Sequence, residues 1–184
     1  MSKSVYKYAS EAGLPVGLYL TVMSACLLMS VRFPWLPTFI FPLALGFPVL
    51  LWYLMKRISD KEPAYLKVSA LWLGGMYAVI FGTLICTLLS GLYLTFVEPG
   101  FMTSYVSNAI STLESSPMSS EYAPTIDLMR EAIEARVLPS SMEFISGMGW
   151  FTCFAGSLLS LILAVVITSV GRRRKKRLGD EFFR

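Results

Sequence analysis

Four long stretches of the chain carry no charged side chain: residues 12–31, 33–55, 68–97 and 144–171, with lengths of 20, 23, 30 and 28. About 20 residues of α-helix, rising about 1.5 Å each, cross the ~30 Å hydrocarbon layer of a bilayer, so each stretch is long enough to span it. Within lipid the backbone must satisfy its own hydrogen bonds, which leaves helices or closed barrels. Barrel strands would appear as alternating segments of about ten residues, and these runs do not alternate. The pattern predicts an all-α integral membrane four-helix bundle. Composition agrees, with 55% of the 184 residues hydrophobic, 15% charged and a mean hydropathy of +0.61. That is too apolar for a soluble domain of this length.

Three cysteines, Cys26, Cys86 and Cys153, all fall inside predicted spans, and there is no histidine. A disulfide framework or a cysteine-based metal site is therefore not expected. The commonest general base and metal ligand is missing altogether. Met23-Ser24-Ala25-Cys26 loosely resembles a lipoprotein cleavage box. The apolar run continues past the cysteine, however, so an uncleaved first span is expected.

The basic residues are divided unevenly among the connections. Lys3 and Lys7 precede span 1, Lys56, Arg57, Lys61 and Lys67 join spans 2 and 3, and seven follow span 4, while the opposite side holds only Arg32, Arg130 and Arg136. The positive-inside rule then puts both termini in the cytoplasm. Trp35, Tyr93, Phe96 and Trp150 would lie near the outer interface, and Trp52, Tyr53 and Trp72 near the inner one. The basic run Arg172, Arg173, Arg174, Lys175, Lys176 and Arg177 directly follows span 4. On a soluble protein such a run suggests nucleic acid; here it is expected to hold anionic lipid headgroups, with no nucleic-acid partner.

These boundaries divide the chain into spans 1 to 3 (1–97), an acidic outer segment (98–143), span 4 (144–171) and a basic cytoplasmic tail (172–184). The outer segment has seven carboxylates against two arginines, a net charge of −5. In it, Phe101, Met102, Tyr105, Val106, Ala109, Ile110 and Leu113 share one helical face, and Ile126, Met129, Ile133 and Val137 recur at helical spacing in the next stretch. A small extracytoplasmic cap of two amphipathic helices, separated by the polar turn SSPMSSEYAP, is expected between spans 3 and 4. Ser140 and Glu143 have capping-box spacing and mark the start of the fourth helix. Spans 1 and 2 form a tight hairpin through VRFPWLP, and Pro42 and Pro48 are expected to kink span 2, either lining a cavity or tolerated by neighbouring helices.

In span 3, Ala70, Gly74, Ala78, Gly82, Cys86 and Ser90 recur at every fourth position. Such small-xxx-small rows let helix backbones approach closely where lipid supplies no hydrophobic force between them. Similar rows run through span 1 (Gly13, Gly17, Thr21, Ala25) and span 4 (Gly156, Ser160, Ala164, Thr168), whereas span 2 has none. They serve packing within the bundle or association with another copy or another membrane protein. No Asp, Glu, Lys or Arg lies within a predicted span, which argues against ion-coupled transport, proton relay and voltage sensing. The outer acids lack calcium-loop spacing and an adjacent nucleophile. Asp127, Arg130, Glu131 and Glu134 read as a solvated helix face with local ion pairs. No catalytic residue, cofactor site or metal site is expected.

The run FGTLICTLLSGLYLTFVEPGFM, with its Glu98-Pro99 pair, is followed by the acidic amphipathic loop and a last span ending in basic residues. In this it resembles a family of small four-span membrane proteins, domain of unknown function 4199, typical of Bacteroidetes. The resemblance implies a four-helix inner-membrane protein with no established catalytic residues, and the encoding of family members near envelope glycosyltransferases suggests an envelope-associated role. The expected function is a non-enzymatic accessory or scaffold subunit of such an assembly. The alternatives are a transporter or lipid-handling protein that binds an amphiphile between span 2 and the cap, and a membrane enzyme that uses the outer carboxylates.

Overall fold

The computed structural model describes the backbone of residues 3–61, 67–117, 119–135 and 137–182, and the side chains of 11–60, 67–117, 121–135 and 137–171. Six α-helices follow one another among the described residues: α1 (Lys3–Leu28), α2 (Ile40–Lys61), α3 (Val68–Phe96), α4 (Phe101–Glu114), α5 (Ser119–Glu134) and α6 (Ser141–Phe182). Among the described residues there is no strand. Four helices are long and apolar enough to cross a membrane, over Glu11–Val31, Leu36–Asp60, Val68–Phe96 and Ser141–Gly171. The protein is a multi-pass membrane protein. Its exposed side chains agree: Phe41, Leu45, Val49 and Tyr53 make an uncovered stripe along α2, and Phe151, Phe154 and Leu158 do the same on α6. Water would penalise such surfaces, and lipid accepts them.

The central helix is α3. Both α1 and α6 pack most extensively on it and barely touch each other, so α2 is needed to cover the joint between them. Its second half does so, with Leu51, Leu54, Met55 and Ile58 buried against Val16, Leu20, Leu71, Val79, Ala164 and Ile167. No residue of α2 before Leu51 is buried.

Glycine explains why α3 has two close partners. A methyl group on Gly82 would stand 2.5 Å from Val16 Cγ1 and 2.9 Å from the Gly17 backbone nitrogen in α1. One on Gly156 of α6 would stand 2.5 Å from Val79 Cγ1, and one on Gly75 would stand 2.9 Å from Ser160 Cβ. Backbones this close gain dispersion contacts that bulkier side chains would prevent.

The α1–α2 hairpin turns through two 3-10 segments, Met29–Val31 and Leu36–Phe39, with Pro37 in the first turn of the second. Pro42 does not sit deep in a helix, contrary to expectation. It is the third residue of α2, just after the 3-10 turn, so within α2 only Pro48 is interior. Tyr19 of α1 donates a 2.6 Å hydrogen bond to the Leu43 carbonyl, and Gly46 makes room for that hydroxyl. Pro15, inside α1, is a second interior proline.

At the end of the bundle where α1 and α3 finish, Phe101 of α4 is fully buried beside Leu28, Leu94 and Ile145. Its ring lies 5.6 Å from that of Tyr105 and 6.2 Å from that of Phe144. This plug fixes α4 to the bundle, while the main contact of α5 is with α4. Ile110 and Ile126 are buried as their spacing predicts, but Val137 falls beyond α5 and is 74% exposed. The turn between the two helices is shorter than SSPMSSEYAP implies. Helix α5 starts at Ser119, with Glu121 in its first turn favourable to the helix dipole and with Pro124 taken inside.

The capping box opens α6. The Glu143 carboxylate accepts from the Ser140 backbone N–H at 2.8 Å, and the Ser140 hydroxyl oxygen accepts from the Glu143 N–H at 3.2 Å. From there the helix runs without a break through the backbone of the basic run to Phe182.

Candidate functional site

The small-residue row of α3 does not serve one neighbour. Positions four apart advance about 40° around a helix, so the row winds from one partner to the next. Ala70 lies half-buried at the edge of the main core, Gly74 and Ala78 are buried, and Gly82 meets α1 at Val16 and Gly17. Further along, Ser90 is buried and its hydroxyl lies 2.8 Å from that of Ser24 in α1, with Cys86 Sγ at 3.9 Å. The contact with α6 uses the adjacent row instead, through Gly75 and Val79. Gly75 is absent from the every-fourth-residue reading, although its pairing with Gly74 offered a signal: a glycine doublet can face two helices at once.

Before Leu51 no α2 residue is buried, and the space between α1 and α6 over α3 is left unfilled. A partly open cavity of about 210 Å³ results. Leu20, Met23 and Leu27 of α1, Ile40 of α2, and Ile145 and Met148 of α6 supply its apolar wall. Ser24, Thr83, Cys86, Thr87, Ser90 and Thr152 supply hydroxyl and thiol groups. Neither a carboxylate nor a basic group lines it.

Threonines inside these helices have a standard way of satisfying their hydroxyls. Thr21, Thr95, Thr152 and Thr168 donate to the carbonyl four residues earlier at 2.7, 2.8, 2.8 and 2.8 Å. Thr83 does not. Its residue is 5% exposed, and its Oγ1 is buried without a hydrogen-bond partner.

Three of the seven outer carboxylates, Glu98, Glu114 and Glu143, are engaged in holding the structure. Glu98 lies 3.5 Å from Arg32 and accepts from the Tyr93 hydroxyl at 3.3 Å, tying the hairpin turn to the start of α4. Arg130 pairs with Glu114 across the two helices, not with Glu134 on its own helix. Glu143 caps α6. Among the described residues no cluster of three or more His, Cys, Asp or Glu could hold a metal. The side chains of Arg172, Arg173, Arg174, Lys175, Lys176 and Arg177, expected at lipid headgroups, lie outside the described residues, as do those of Phe182 and Phe183.

A family model described as protein of unknown function (DUF4199) matches residues 11–169. The chain belongs to this family. The DUF4199 match takes in the first three spans, the fourth but for its last two residues, the glycine contacts of α3, the cavity and the helical pair, and it ends before Arg172. No curated protein and no solved structure matches the chain.

Proposed function

We propose that this DUF4199 protein is a non-enzymatic accessory subunit of a bacterial inner membrane. In this reading both termini are cytoplasmic, and the α4–α5 pair is an extracytoplasmic docking element for an envelope-associated partner. One observation carries it. Helix α5 packs mainly on α4, leaving Asp127, Glu131 and Glu134 exposed beside Leu128, which is 66% exposed. An uncovered apolar residue among acids, on a segment outside the spans, suits a partner with a basic rim and an apolar centre.

The buried Phe101 supports the same role, because it makes the pair a fixed platform. The structural engagement of Glu98, Glu114 and Glu143 weighs against the reading in which these acids do chemistry.

Two measurements test the proposal. A membrane-impermeant maleimide should label Glu131→Cys from the outside of intact cells, and labelling only after permeabilisation would reverse the orientation. The tagged full-length protein, taken from native membranes in mild detergent, should retain a partner that the Leu128→Glu variant loses. Recovery of wild type as a lone monomer at native expression would count heavily against a subunit role.

A further inference from the structure

The cavity beside Thr83 has the features of a binding site, independent of whatever docks on α5. We propose that it takes an uncharged, bilayer-soluble ring compound whose carbonyl or hydroxyl oxygen accepts a hydrogen bond from the Thr83 hydroxyl.

Three properties of the site select that chemistry. The first is the unpaired donor. Four other threonines in the spans bond back to their own helix, whereas Thr83 keeps a buried Oγ1 with no partner. Leaving such a group unsatisfied costs about 1–3 kcal/mol. Of the other polar groups, Ser24 and Cys86 pair with Ser90 and Thr152 bonds the Met148 carbonyl, while Thr87, half-buried one turn further along α3, carries a second hydroxyl outside these pairs. A ligand oxygen at Thr83 would satisfy the buried one of the two.

The second property is size. An apolar protein cavity of about 150 Å³ accepts benzene, and this one, at about 210 Å³, has room for a six-membered ring with a short substituent. The third is charge. No Asp, Glu, Lys or Arg lines the cavity, so an ionised ligand would lose its hydration with nothing to replace it.

Access follows from position. Thr83 lies 13 residues before the end of α3, about 20 Å along the helix, well inside the hydrocarbon layer. Met148 on the cavity wall is 41% exposed, which opens the site towards lipid. A compound reaching it must already be dissolved in the bilayer. The flexible side chains of Met23 and Met148 can adjust around it.

The test uses the full-length protein in lipid nanodiscs, with empty nanodiscs to subtract partition into lipid. Three probes of similar shape are titrated: acetophenone, ethylbenzene and benzoate. Acetophenone should bind about fivefold or more tightly than ethylbenzene, and benzoate should not compete. Thr83→Val should abolish the preference while keeping ethylbenzene affinity, and Thr83→Ser should restore it. Thr83→Val should also raise the melting temperature of the ligand-free protein, because it removes a buried unpaired hydroxyl. Leu27→Trp, which fills the cavity, should block both neutral probes.

Equal affinity for acetophenone and ethylbenzene would mark a niche for hydrocarbon chains and overturn the proposal. So would a preference that survives Thr83→Val, benzoate binding as tight as acetophenone, or no saturable binding of any probe.

Discussion

Gly82 and Gly147 are the same residue type on transmembrane helices, and the structure gives them opposite sensitivities. A methyl group at Gly82 meets Val16 and the backbone of Gly17, whereas at Gly147 nothing lies within 4 Å. Gly82→Ala should therefore cost about 1–3 kcal/mol through forced separation of α1 and α3. Gly147→Ala should be neutral or stabilise by up to about 1 kcal/mol, because it raises helix propensity without a clash. Reversible unfolding in mixed micelles would separate the two, and equal effects would mean that α1 and α3 are not held at this distance. At this scale the sequence was partly legible. The small row of α3 was visible as spacing, since close backbone approach demands small residues. Which neighbour each residue faces was not, because the row rotates around the helix and the α6 contact passes to Gly75. Nor could spacing distinguish Thr83 from the threonines that bond to their own carbonyls.

Helices α4 and α6 begin with devices of different strength. The reciprocal Ser140–Glu143 bonds open α6 in the polar region, and Ser140→Ala should lower stability by about 1 kcal/mol. The Phe101 plug is a larger matter. Removing a fully buried aromatic ring costs about 3–5 kcal/mol, and here the loss falls on the joint between α4 and the bundle. Phe101→Ala should make the 115–117 turn readily cleaved in limited proteolysis while the helical circular dichroism of the spans persists. Unchanged protease resistance would show that α4 is held by other means. The capping box and the apolar faces of both short helices were readable from spacing, as expected of features that depend on a few residues. The start of α5 was not. Pro124 and a run of serines imitate a turn, and packing against α4 overrides that local preference.

The charge-free runs of the whole chain announced its four spans because lipid excludes charge regardless of how the helices meet. Their arrangement was less accessible. In the structure α3 holds α1 and α6, and α2, which carries no small-residue row, covers part of the joint between them. The cavity left no trace in the sequence, since it lies between α1, α3 and α6 where α2 has no buried residue to fill the space. The basic run belongs to this scale as well, because its proposed role concerns the orientation of the molecule. Replacing Arg172–Arg177 by glutamine should reduce the enrichment of anionic lipid around the purified protein, at about 1 kcal/mol per residue near the surface. Unchanged enrichment and orientation would show the run to be dispensable.

The central place of α3 also sets a constraint on biosynthesis. When only α1 and α2 have left the ribosome, the surface of α1 bearing Gly13 and Gly17 still lacks the helix it fits. The early hairpin thus has only part of its final contacts, among them the Tyr19–Leu43 hydrogen bond. Arrival of α3 commits α1, and α6, emerging last, closes the other side of the same helix. A nascent chain arrested between α2 and α3 would present an unfilled glycine groove to lipid, a feature that membrane quality control could recognise.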